Sequence, residues 1–235
     1  MGARDIFPLI VGAVPFGLIF GTLATSNGLS PVATLAMSAF VFAGSSQFIA
    51  AGMVAVNTHW GLIVLTTLVV NLRHLLYAVS LLPYVKSLSQ KWKVLLGFFL
   101  TDEAFAVAIR RYETASEMTP EMTLENALTH WYFLGAAITM YVNWQLCTLI
   151  GMMLGRMIPD AAEWGLDFAM SVTFIGMIVP YVKNRPMLVS VVVSGAIALL
   201  SAAFPHKLGL MLSALCGITA GVMSERIGSR ERPAR

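Results

Sequence analysis

Charge is what this sequence has least of. Lys, Arg, Asp and Glu make up 11% of its 235 residues, against about a quarter in an ordinary soluble domain. So few polar groups cannot cover a globule of this size, which excludes a water-soluble fold. Cysteine is nearly absent too. Cys147 and Cys216 both fall inside apolar runs; without ligand or partner spacing they exclude a disulfide framework and read as small buried hydrophobes. His59, His74, His130 and His206 are scattered, so no metal site and no cofactor is expected. The chain has no HExxH, GxSxG or P-loop sequence, which speaks against an enzyme and against ATP as the energy source. The net charge of +3 comes from basic residues at the ends of apolar runs. That is the pattern of a chain in a lipid bilayer, not of one bound to nucleic acid.

Apolar length, in contrast, is abundant. Hydrophobic residues make up 57% of the chain. Runs near the ~20 residues that cross a bilayer fall at 6–25, 31–56, 60–83, 92–111, 128–155, 166–183, 186–204 and 207–224. The first continues through Pro15 to Ala24, too long for the core of a leader, and reads as a true first helix. Connections are short except 112–127, where Thr119, Pro120 and Glu121 read as a helix start. The expected fold is an all-α integral membrane protein, a single bundle of seven or eight transmembrane helices, with 226–235 as a short basic tail.

Eight crossings put nine basic residues on the N-terminal side and five on the other. If 92–111 only dips into the membrane, seven crossings remain. One face then collects eleven basic residues against three, and the N-terminus lies outside. Both arrangements place the C-terminus in the cytoplasm. Ala36, Met37 and Ser38 echo Ala169, Met170 and Ser171, suggesting an internal repeat, inverted with seven crossings and parallel with eight.

The third run carries a polar face. At about 100° per residue, Thr66, Thr67, Asn71, Arg73, His74, Tyr77 and Ser80 share one half of the helix. Leu65, Leu68, Val69, Leu72, Leu75, Leu76 and Val79 fill the other. An arginine at mid-bilayer costs about 2.5–3.5 kcal/mol to insert. The thirteen Leu, Ile and Val of the run, at about 0.3–0.6 kcal/mol each, offset it. Once folded, Arg73 needs an acidic or carbonyl partner. Asp102 and Glu103, set between apolar stretches, are the candidates: one to pair with Arg73, the other, together with His74, to titrate in ion or proton coupling. A purely structural ion pair is the competing reading.

Two runs carry helix breakers. Pro15 and Gly17 lie in the first; Gly44, followed by Ser45, Ser46 and Gln47, interrupts the second. Irregular backbone at depth is tolerated only against protein or a wet cavity. Freed N–H groups attract a carboxylate, and freed carbonyls a cation. Ser45, Ser46, Gln47, Asn71, Arg73 and Tyr77 are thus the candidate ligands of a small zwitterion. Close packing through small residues is the competing reading.

The stretches PFGLIFGTLA (15–24), FAGSSQF (42–48), NLRHLLYAVSL (71–81), LTDEAFA (100–106) and GLDFAMSVTFIGMIVP (165–180) resemble, in order, the motifs of the AzlC family, the large subunit of branched-chain amino acid exporters. The resemblance implies that 1–225 is a transmembrane transporter domain in the bacterial cytoplasmic membrane. It implies secondary-active export of valine-like amino acids, with methionine as a candidate, and a small hydrophobic AzlD-type membrane subunit as partner. The alternatives are an intramembrane enzyme, or a channel or structural subunit without its own amino acid site.

Overall fold

The computed structural model describes residues 1–116, 129–157, 182, 184–202, 204 and 208–230. Among them are ten helices and no strand: α1 Gly2–Asp5, α2 Phe7–Ser26, α3 Pro31–Phe40, α4 Gly44–Ala55, α5 Trp60–Val85, α6 Gln90–Phe98, α7 Asp102–Ser116, α8 Thr129–Met157, α9 Arg185–Leu200 and α10 Leu208–Arg230. Helix starts carry their sequence signals. The Ser30 hydroxyl accepts from the Ala33 amide at 3.1 Å, ahead of Pro31 at the start of α3. Asn184 accepts from the Met187 amide at 2.9 Å, ahead of Pro186. The expected 166–183 run and the Thr119–Pro120–Glu121 start lie outside the described residues, apart from Val182. The tail expected from 226 begins inside α10, which stays helical through Arg230.

Two compact units are present: Met1–Asn57 with Val70–Trp164, and Thr58–Val69 with Gly165–Arg235. The first is built on α2 and α8. Gly17 faces Cys147, Gly21 faces Thr148 and Met152, Gly151 faces Leu18, and Gly155 faces Thr22. Residue numbers rise together along this contact, so the two helices run parallel. Their backbones touch where side chains are smallest, and the Thr22 hydroxyl donates to the Gly151 carbonyl at 2.8 Å. The expected break at Pro15 and Gly17 is absent: α2 is one helix from Phe7 to Ser26. Proline forfeits one backbone bond, and the close seam with α8 outweighs that loss. A β-carbon on Gly21 would strike the Thr148 carbonyl, whereas one on Gly12 meets nothing within 4 Å. Gly21→Ala should therefore destabilise the protein by about 1–3 kcal/mol, and Gly12→Ala should be neutral or stabilising, as read by thermal unfolding in detergent.

Among the described residues, α2, α5 and α8 are the three helices long and apolar enough to cross a membrane. The 31–56 run is not one continuous helix but a hairpin of two short ones. Ser38 lies beside Gln145 and Thr148, while Phe42 lies beside Tyr141, so α3 runs against α8. Gly44 then faces Trp144, Phe48 meets Phe20, and the Asn27 amide donates to the Ala51 carbonyl at 3.3 Å, so α4 runs back alongside α2. At 10 and 12 residues, these limbs measure about 15 and 18 Å, half of a ~30 Å hydrocarbon core.

The 92–111 run behaves likewise. Trp92 meets Trp131 and Phe99 meets Tyr141, so α6 enters alongside α8. Asp102, Phe105 and Tyr112 then pair in turn with Arg73, Tyr77 and Tyr84, so α7 leaves alongside α5. Of the two expectations for 92–111, a fold of two short limbs has the form of the dip. A long helix followed by a half-depth hairpin thus occurs twice, in opposite directions: α2 with α3–α4, and α5 with α6–α7. The second half of the 36–38/169–171 echo lies outside the described residues.

In the second unit, α9 and α10 pack antiparallel. Ser190 donates to the Gly217 carbonyl at 2.9 Å, and Gly221 lies against Ser190 and Pro186. Helix α9 buries no residue fully and exposes Leu188, Val192 and Leu199, as a helix does whose outer face meets acyl chains.

Candidate functional site

The two hairpin tips, 41–43 and 99–101, converge on one side chain. The Tyr141 ring stands edge-on to Phe42 at 4.8 Å and to Phe99 at 5.2 Å, and its hydroxyl donates to the Ala39 carbonyl at 3.2 Å. One turn further along α8, the Gln145 side-chain amide donates to the Ser38 carbonyl at 3.0 Å. The final carbonyls of α3, which a helix end leaves without partners, are therefore taken by α8. Phe42 turns the chain with φ of 41°, a left-handed conformation uncommon outside glycine.

The start of α4 is the reverse case. Its N-cap is Ala43, with no side-chain cap, so the first amides and the positive end of the helix dipole stay open. Around them, polar atoms are buried without a partner among the described residues: the Ser45 hydroxyl, both ends of the Gln47 amide and the Trp144 indole N–H. Gln47 is 0% exposed. The Trp144 ring lies 3.0 Å from where a β-carbon on Gly44 would sit, and stacks on Phe20. An unsatisfied buried polar group costs about 1–3 kcal/mol, so these atoms call for partners, in ordered water or in another molecule. Gly44 is the first residue of α4, and the break itself occupies 41–43.

The start of α7 is already occupied. The Thr101 hydroxyl accepts from the Ala104 amide at 3.3 Å. Asp102 and Glu103 fill the first turn, where the helix dipole favours them. The Arg73 guanidinium pairs with Asp102 Oδ2 at 2.7 Å. Asp102 Oδ1 and Arg73 Nε make no close hydrogen bond with a described residue, and the Tyr77 hydroxyl lies beside the Asp102 carboxylate. Glu103 is half-buried beside Thr101 and Asp102.

Helix α5 joins the two hairpins through the face foreseen as polar. The Ser46 hydroxyl of α4 donates to Asn71 Oδ1 at 2.5 Å, and two residues on, Arg73 holds α7. His74 Nδ1 lies 3.2 Å from the Asn71 carbonyl, with its ring edge-on to Tyr77. Tyr77 stacks on Phe105 at 4.6 Å. Thr66 is buried, and Thr67, Asn71, Arg73, His74 and Tyr77 are half-buried; Leu65, Leu68, Leu72, Leu75, Leu76 and Val79 are exposed. Ser80 departs from the pattern: it is exposed and donates to the Leu76 carbonyl of its own helix.

Sequence reading missed the contribution of α8. Tyr141, Trp144, Gln145 and Thr148 stand at the i, i+3, i+4, i+7 spacing of one helix face. The criterion applied to 71–77 would have found them.

The sequence profile of the AzlC protein family matches residues 8–158. The inner membrane protein YgaZ of Escherichia coli is 27% identical over 221 residues, covering 92% of this chain and 86% of that protein. The branched-chain amino acid transport protein AzlC of Bacillus subtilis is 30% identical over 170 residues, covering 72% of this chain and 61% of that protein. An uncharacterized membrane protein of Archaeoglobus fulgidus is 28% identical, covering 82% and 80%. No solved structure matches.

Proposed function

The chain belongs to the AzlC protein family, and on that premise we propose that it exports branched-chain amino acids by secondary-active transport, as the large subunit of a two-component permease. The observation that carries this reading is the meeting of two half-depth hairpins, entering from opposite faces, at Tyr141. The substrate carboxylate docks at the open start of α4, against Ser45, Gln47 and the Trp144 N–H. Its ammonium takes the Asp102 carboxylate and the Gln47 carbonyl. Phe20, Phe42 and Phe99 receive the apolar side chain. Helix-terminus recognition of a carboxylate at mid-depth is a recurrent device of transporters. Arg73, Asn71 and Tyr77 position the hairpins, and His74, Asp102 and Glu103 couple an ion gradient. A small hydrophobic AzlD-type subunit completes the permease.

The hairpin geometry also bears on orientation. It puts the start of α2, the end of α5, the start of α6 and the end of α7 on one face, with Arg4, Lys86, Lys91, Lys93, Arg110 and Arg111. The turns 27–30 and 56–59 on the opposite side carry no Lys or Arg. By the positive-inside rule the first face is cytoplasmic, N-terminus included, in the inner membrane of a bacterium. The C-terminus is assigned to the cytoplasm on the arginines of 226–235 alone.

Counterflow in proteoliposomes tests the function. Valine-loaded vesicles holding the protein and its partner subunit should accumulate labelled valine, and leucine or isoleucine should compete. A structural subunit or channel would give no counterflow.

A further inference from the structure

Phe42 is a phenylalanine at a turn that suits glycine. Three carbonyls at the end of α3 are bonded. Met37 accepts from the Val41 and Phe42 amides at 3.0 and 3.4 Å, Ser38 from the Gln145 side chain, and Ala39 from the Tyr141 hydroxyl. The chain then leaves α3 through Phe42 at φ of 41°. This left-handed step is a common helix ending, and glycine takes it without steric cost. What glycine lacks is the ring, which is 4% exposed and stands edge-on to Tyr141 at 4.8 Å.

The place of the ring gives a reason to keep it. Two residues on, α4 begins at Gly44 with its first amides uncapped. Gln47, in that first turn, is fully buried, and neither end of its amide bonds to a described residue. An amino acid whose carboxylate lies on these amides has its α-carbon near the hairpin tip. There Phe42 and Phe99 converge on Tyr141 from the two hairpins. Phe42 is the buried ring of the two and Phe99 the half-buried one, and Phe42 is the one next to the open helix start.

We propose that Phe42 sets the upper size limit of the transported side chain. Its ring closes the far end of the apolar pocket, admitting valine, leucine and isoleucine and excluding the benzyl group of phenylalanine. This deepens the transport reading above and rests on it. Removing the Phe42 side chain leaves a space of the shape that the excluded substrate brings, and an apolar cavity of that kind takes up an aromatic ring.

The test is the ratio of phenylalanine to valine counterflow in proteoliposomes holding the protein and its partner subunit. A ratio does not depend on how much folded protein each preparation holds, so a packing defect alone leaves it unchanged. Wild type should exchange valine at least roughly ten-fold faster than phenylalanine, and Phe42→Gly should raise the phenylalanine-to-valine ratio by roughly ten-fold or more. Glycine fits the left-handed step without strain, so this variant should keep its fold; Phe42→Ala leaves a similar space and should shift the ratio the same way. Equal exchange of the two amino acids by wild type overturns the proposal. An unchanged ratio in both variants, with valine still exchanged, also overturns it and leaves the ring a packing group. Loss of valine exchange in both does so too, making the ring part of the fold. Failure of wild type to exchange valine is a different result: it overturns the transport reading, and the size limit with it.

Discussion

Asp102→Asn should lower valine counterflow by roughly 30-fold or more, and Arg73→Gln should lower it less. Removing one partner of a fully buried ion pair costs about 3–5 kcal/mol. Here the two side chains keep 26% and 27% of their surface exposed, so about 2 kcal/mol is the proper scale, equivalent to roughly 30-fold. The asymmetry follows from the helices. Without Asp102, Arg73 is a cation in the middle of an apolar helix with no described acid bonded to it. Without Arg73, Asp102 still sits in the first turn of α7, where the helix dipole favours a carboxylate. For the same reason the exchange Arg73→Asp/Asp102→Arg should not restore transport, since it sets a cation against the positive end of α7. Replacing both by apolar residues, Arg73→Met/Asp102→Leu, should keep the protein folded but silent. Equal loss in the two single variants would refute the dipole argument. Full counterflow in both would remove the pair from substrate binding.

Gln47→Leu should separate function from stability. The Gln47 amide is fully buried and bonds to no described residue. If it serves the substrate, leucine removes a binding group and relieves an unsatisfied polar one. The expected outcome is a KM for valine raised by roughly 10- to 100-fold, with a melting temperature in detergent unchanged or higher. A structural glutamine predicts the opposite pair: transport near normal and a lower melting temperature. Ser46→Ala, which removes the bond to Asn71, should lower stability as well as transport, because it unties α4 from α5.

Much of this was legible in the sequence. The shortage of charge and the long apolar runs gave the membrane class. The 3.6-residue period of α5 separated its inward polar residues from its outward leucines, and the need of a mid-helix arginine for a counter-ion led to Asp102 and Glu103, of which Asp102 makes the pair. The fate of 31–56 and 92–111 was harder to read. Hydropathy measures apolar length, and a hairpin of two short limbs needs as much of it as one crossing helix. The break near Gly44 was visible, but the direction the chain takes after it was not. That direction is set by Tyr141, Trp144 and Gln145, about 100 residues away. Pro15 misled in the other direction: its local cost is real, but Gly17 and Gly21 let α8 approach closely enough to keep α2 whole.

Sidedness of single cysteines tests the two hairpins most directly. In a variant lacking Cys147 and Cys216, cysteines at the exposed positions Ala3, Val56, Ser87 and Thr114 are labelled with an impermeant maleimide in vesicles of each orientation. Two half-depth hairpins predict that Ala3, Ser87 and Thr114 react from one face and Val56 from the other. If Val56 reacts together with Ala3, or Ser87 from the face opposite Thr114, then 31–56 or 92–111 crosses the membrane and the tips do not meet at Tyr141.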